Sequence, residues 1–293
     1  MKKTLATLLT VFISVASASA WFDGGVGQTT GPGGYKKTDI NLTIGSGDMW
    51  VRGALMRQNT DNLYKPLNHY SARVGFEKDF YTVAGEAGMT PGTNSSATSE
   101  YSNMSLGGDI TFSLTPSATG GGRLAGPNAK AASGGGQGIT RVDVGAGLKH
   151  TRHKTEALNT ETKTAQTEYS VFAGAKILMA RLGASWTGYK YGDDDSTPII
   201  GSINGQARAL SHDTLALPKA SVNFRLDLPG YPMVTPFLSY TTTKYKNNFK
   251  DTAAYGVGAY LDLNLVGANV MYQVYDDGSD KDNYLSLSAG IKF

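Results

Sequence analysis

The 293-residue chain contains no cysteine, which excludes disulfide frameworks, thiolate metal sites, cysteine nucleophiles and a lipidated amino-terminal cysteine together. Any site must work with oxygen or imidazole chemistry. Charge is also scarce: Asp, Glu, Lys and Arg make up 17% of the chain, against roughly 25% in a soluble domain. Nor is one sign favoured, since beyond Lys2 and Lys3 there are 25 basic residues against 24 acidic ones. That balance gives no footing for nucleic-acid binding. Past residue 20 no apolar run approaches the ~20 residues of a membrane-spanning helix. A chain that crosses a membrane on these terms must do so as a closed β-barrel, in which every backbone N–H and C=O finds a partner.

What the sequence does have is glycine (37 residues) and tyrosine (16 residues), a composition of neither a disordered chain nor a helical bundle. Met1, Lys2 and Lys3 form a basic start, Leu5 to Val15 an apolar stretch, and Ala18-Ser19-Ala20 a small-residue cleavage site before Trp21. This is the pattern of an exported bacterial protein, so residues 1–20 are expected to be a signal peptide and 21–293 the mature domain.

From there on, period-two alternation dominates. It is cleanest at the carboxyl end, where Leu285, Leu287, Ala289, Ile291 and Phe293 share one face and Tyr284, Ser286, Ser288, Gly290 and Lys292 the other. That is a strand with one apolar face. A chain ending on Phe, with apolar residues at every second position before it, resembles the carboxyl-terminal strand of Gram-negative outer-membrane β-barrel proteins. The resemblance implies an all-β, antiparallel, up-and-down transmembrane barrel of the porin-like kind, recognised through that strand by the barrel assembly machinery. It implies lipid and lipopolysaccharide as surroundings, and a monomer, because trimeric porins normally have larger barrels.

The same alternation recurs upstream, for example in Ala220, Val222, Phe224, Leu226 and Leu228, and in Val142, Val144, Ala146 and Leu148. Counting the Gly-rich stretch 21–29 as a first strand gives fourteen, with twelve as the alternative; an even number fits single-chain bacterial barrels. Connection lengths alternate as such barrels require, short on the periplasmic side and longer outside. Tight turns fall near Asn264, Pro229 to Pro232 and Leu178 to Ala180, and outer loops at Asp276 to Asp282, Lys246 to Thr252, Gly192 to Pro218 and His150 to Thr167. One connection breaks the rule: the Gly-rich segment 116–138 falls on the periplasmic side, where it would be a flexible arm or a lumenal segment.

Aromatic residues should gather at the two interfaces on the lipid side. In this register Tyr70, Tyr169, Trp186, Tyr240, Tyr255 and Tyr272 form the outer girdle, and Phe76, Tyr81, Phe112, Phe224 and Phe293 the inner one. Charged residues fall on the opposite, inward phase. Arg52, Arg73, Glu86, Asp109, Arg141, Asp143 and Lys149 are expected to line the lumen, as are Lys176, Arg181, Arg225, Asp227, Asp262 and Lys292. Fourteen strands at ~4.8 Å spacing and ~40° tilt give a backbone diameter of roughly 28 Å, or about 16 Å between side chains. Mixed signs predict no strong ion selectivity. The expected function is a passive channel for small polar solutes; the alternative is a structural or surface-interaction barrel with a salt-bridged, closed lumen.

Candidate chemistry is thin. His69-Tyr70-Ser71 resembles the His-x-Ser of barrel lipases, in which an imidazole activates a hydroxyl, but His69 and Ser71 face inward and Ala72-Arg73 replaces the expected Asn-Gly. His150 and His153 fall in an expected cationic outer loop, and Ser211-His212-Asp213 in another, where an outer-rim hydrolase would need them. Asp193-Asp194-Asp195 could bind a divalent cation, yet adjacent acids lack the alternating spacing of a calcium loop. The sequence therefore argues for no enzyme, no cofactor and no metal site.

Overall fold

The computed structural model describes residues 20–61, 63–96, 99–114, 123–127, 129, 140–157, 160–177, 180–192, 217–228, 233–246 and 250–293. The expected signal peptide, apart from Ala20, lies outside these residues, as do both Gly-Gly-Gly runs, Asp193-Asp194-Asp195 and the His212-Asp213 pair.

Fourteen strands close into one antiparallel barrel. They are β1 (Ala20–Thr30), β2 (Lys36–Ser46), β3 (Met49–Asn59), β4 (Leu67–Glu77), β5 (Tyr81–Ser96), β6 (Ser99–Ser113) and β7 (Thr140–Ala157), followed by β8 (Thr160–Ile177), β9 (Ala180–Tyr191), β10 (Pro218–Asp227), β11 (Val234–Tyr245), β12 (Thr252–Asp262), β13 (Val266–Asp276) and β14 (Lys281–Lys292). Each strand pairs with its sequence neighbours, and β1 pairs with β14. The seam is completed by reciprocal bonds, Phe22 N–H to the Phe293 carbonyl at 2.9 Å and Phe293 N–H to the Phe22 carbonyl at 2.8 Å. Through the paired span around the barrel no described strand is left with an open edge; beyond it β5 and β8 pair on one side only.

Both strand termini, Ala20 and Lys292, lie at one end of the barrel, called here the near end; it corresponds to the periplasmic side in an outer-membrane frame. The β2–β3 and β12–β13 turns at this end are tight. Gly47 adopts φ 58° between β2 and β3, and Asn264 adopts φ 65° between β12 and β13, where the Asp262 carboxylate accepts the Asn264 N–H at 3.0 Å. An Asx-type turn of this kind tolerates the left-handed conformation.

Alternation appears as a period-two change in exposure. On β14 Leu285, Leu287 and Ile291 are exposed while Tyr284 is buried. The exposed apolar side chains form a continuous outer band, which includes Val74, Val171, Leu182, Leu238, Val257, Val270 and Leu287. A soluble protein does not leave such a band to water; hydrocarbon is the solvent it fits.

One expectation is corrected here. The outer loop read from His150 to Thr167 is instead paired strand: β7 and β8 run 18 residues each and their ladder continues to Ala157↔Thr160. A bilayer needs only about 9 to 11 residues per strand, so this hairpin, with β5 and β6, stands beyond the band at the far end. Both faces of the extension are polar because neither meets lipid, and that is why no apolar alternation marked it. Its outer face carries the ion pairs of Lys154 with Glu156 and Glu161, and of Lys163 with Glu161.

The lipid-facing reading has a direct energetic consequence on adjacent residues. Leu287→Arg should destabilise the barrel by roughly 2 to 4 kcal/mol more than Ser288→Arg. Denaturant unfolding in lipid vesicles measures the difference, and equal costs would contradict the assignment of faces.

Candidate functional site

The strand register decides which side chains enter the lumen. Starting from Leu287 on the outer face and following the ladder pairs around the barrel, all thirteen charged positions named from the sequence fall on the inward face. They are not evenly dispersed. Arg73 on β4 bonds Glu86 on β5 at 2.9 Å and also Asp109 on β6, and Lys149 on β7 reaches the other Glu86 oxygen at 3.2 Å. This chain of ions crosses four strands. Arg141 and Asp143 pair at 3.1 Å, and Arg225 and Asp227 at 2.7 Å; each pair runs along its own strand, two residues apart, rather than across strands. Lys292 grips both Asp262 oxygens at 2.9 Å, which ties β14 to β12.

The Gly-rich connection between β6 and β7 is where sequence reasoning left a choice, and its described residues turn into the lumen. Arg123 is 2% exposed. Its Nε donates to Thr82 Oγ at 2.6 Å, and its Nη1 donates to Ser113 Oγ at 2.7 Å and to the Asp79 carbonyl at 3.2 Å, while Nη2 donates to the Lys78 carbonyl. The next residue, Leu124, donates its N–H to Asp143 at 2.8 Å, and the Ser113 hydroxyl donates to the same carboxylate at 2.5 Å. Arg123 to Pro127 therefore form a strap, pinned at one point by a planar guanidinium that satisfies four acceptors at once.

Glycine makes room for the strap. A Cβ at Gly174 would lie 2.7 Å from Leu124 Cβ and 3.0 Å from Ala125 Cβ, too close for any other residue. The strap thus lies on bare backbone of β8 and narrows the near end of the lumen. Arg123 could not be marked from sequence as a site residue, because it sits in a glycine-rich stretch with no period of its own.

At the far end the inward face is aromatic. Tyr101 donates to, or accepts from, His153 Nδ1 at 2.7 Å, and His153 Nε2 meets Gln166 at 3.1 Å. His153 is therefore a buried strand residue facing inward, not a loop residue, whereas His150 faces outward beside Thr167 at 3.1 Å. His69 bonds Thr90 at 3.0 Å. Tyr35, Tyr275 and Tyr284 form one inward cluster and Tyr189, Tyr191 and Leu217 another.

The lipid side shows two aromatic belts. Tyr240 meets Tyr255 at 5.2 Å and Tyr169 meets Trp186 at 5.6 Å, both tilted, toward the far end, where Tyr70 and Tyr272 are also exposed. Phe76 meets Tyr81 at 6.0 Å and Phe22 meets Phe293 at 6.1 Å at the near end. Phe224 departs from its expected place. It lies directly across the ladder from Tyr240, so it shares the level of the far-end tyrosines instead of the near-end belt. Trp21 and Trp50 face inward, each over a glycine on the neighbouring strand.

Comparison with known proteins agrees with the fold. Searches against protein-family models and against curated protein sequences find no match. Among solved structures, CdiB from Acinetobacter baumannii is similar at 12% identity and TM-score 0.54, over 94% of this chain and 60% of that one. The chain thus spans about three fifths of CdiB. The outer membrane protein OprD from Pseudomonas aeruginosa aligns at 11% identity and TM-score 0.43, over 94% of each chain. OccAB2 from Acinetobacter baumannii aligns at 7% identity and TM-score 0.43, over 94% of this chain and 97% of that one. The fold is that of Gram-negative outer-membrane β-barrels.

Arg123→Ala should strip the buried Thr82 hydroxyl and two backbone carbonyls of their donor, at a cost of about 1 to 3 kcal/mol. Limited proteolysis should then cut within 123–127, where the native protein is expected to resist. Arg123→Lys should restore only part of the protection, since an ammonium cannot span the same acceptors; unchanged protection in Arg123→Ala would refute the pinning role.

Proposed function

We propose that the protein is a channel of the Gram-negative outer membrane, exported with cleavage of residues 1–20, which passes small polar solutes by diffusion. The observation that carries this reading is the state of the lumenal charges. Inside a cylinder whose outer face is apolar, Arg52 is exposed and the side chains of Arg225, Lys292 and Lys149 are 41%, 38% and 34% exposed. Charges left this open need water around them, and a water-filled lumen is a path. The thirteen inward charges are its lining, and the Arg123 strap is its constriction. In this reading the chain acts as a monomer, without cofactor, metal or catalytic step, set in lipid and lipopolysaccharide by its aromatic belts and delivered through its carboxyl-terminal strand to the assembly machinery.

A second reading has its own support. Arg123 and Ala125 of the strap are buried, and Arg123 and Leu124 are bonded to the wall, which favours a barrel closed at the near end whose contacts are made by its far-end extension. The two readings differ in one quantity.

Purified barrel in planar bilayers should show small, discrete conductance steps, and Arg123→Ala should enlarge them at least twofold by releasing the constriction. Absence of steps from folded protein whose gel mobility shifts on heating would defeat the channel reading in favour of the closed barrel.

A further inference from the structure

The thirteen inward charges are eight basic and five acidic residues, and the basic excess is gathered in one place. On the β7 to β10 wall, at the near end, Arg141 stands opposite Lys176 and Lys176 opposite Arg181 in unbroken register. On β10 the place opposite Arg181 is taken by Asp227, and Arg225 lies one step farther in, opposite Gly183. Four cations therefore occupy adjoining positions on four strands.

The acids on this stretch are Asp143 and Asp227, and both are occupied. Asp143, with its side chain fully buried, is held by Arg141, Ser113 and the Leu124 N–H. Asp227 is 9% exposed and bonded to the Arg225 Nε. The carboxylates are folded into the wall while the Arg225 side chain remains 41% exposed. Arg181 adds a more specific sign: its Nε is buried and has no hydrogen-bond partner among the described residues. Like charges placed directly opposite on a ladder repel, and a guanidinium with an unused donor is a ready acceptor-seeker for a planar or tetrahedral oxyanion.

We propose that Lys176, Arg181 and Arg225 form a binding site for small oxyanions, carboxylate or phosphate, at the near end of the lumen beneath the strap. The strap bounds the site on its far-end side, because the Leu124 carbonyl lies 3.3 Å from where a Gly183 Cβ would be. The proposal rests on the channel reading for the solute's route, and it names the class of solute that the route favours.

Binding is measured without conductance, so the two can fail separately. Calorimetric titration of the folded barrel in detergent with sodium phosphate, and separately with sodium acetate, should show binding of at least one anion. The Lys176→Gln/Arg181→Gln double variant should bind on the order of tenfold more weakly. Lys37→Gln, at the far end, should bind as the native protein does. Binding of only one anion supports the site and fixes its chemical class. No binding of either, or equal affinity in the double variant, would overturn the proposal, whereas loss of conductance with binding intact would remove the channel reading alone.

Discussion

Hydrocarbon offers a backbone N–H or C=O nothing to bond to, and each group left unpaired there costs several kcal/mol. The rest of this structure depends on that constraint. It forbids an open sheet, so β1 must find β14, and it makes the Phe22–Phe293 exchange of backbone bonds a closing element rather than a terminal detail. It also turns alternation into an energetic rule. With one face solvated by lipid, a charge on a spanning strand at the level of the hydrocarbon has to point inward.

Inside, the same segregation creates a second problem. Charges gathered into a narrow cylinder lose part of their water, and partly desolvated ions require partners. The Arg73–Glu86–Lys149 chain and the Arg141–Asp143 pair answer that requirement, and Asp143 then serves again as the anchor for Leu124. The strap is thus secured by the network that the barrel's solvent separation makes necessary. Constriction and stability come from one set of contacts, which is why a single guanidinium, Arg123, can hold both.

How much was legible in the sequence follows from where lipid acts. Within the membrane band the period-two signal is strong, and it located the faces of β10 to β14, the inward phase of Arg225 and Lys292, and the count of fourteen strands. Beyond the band the signal vanishes, so the far-end halves of β7 and β8, polar on both sides, resembled a loop although they are paired throughout. Phe224 was placed by its distance from a turn, but strand tilt and ladder register set its level beside Tyr240. Arg123 left no trace at all, since its role depends on acceptors from residues 78 to 113, brought near only by closure of the barrel.

Because the chain has no native cysteine, single cysteines can be introduced along β14 and spin-labelled without background. Collision accessibility to oxygen and to a water-soluble nickel chelate in reconstituted vesicles reports which solvent each position meets. The account predicts that positions 285, 287, 289 and 291 favour oxygen and positions 286, 288, 290 and 292 favour nickel. A flat profile, or the opposite phase, would contradict it.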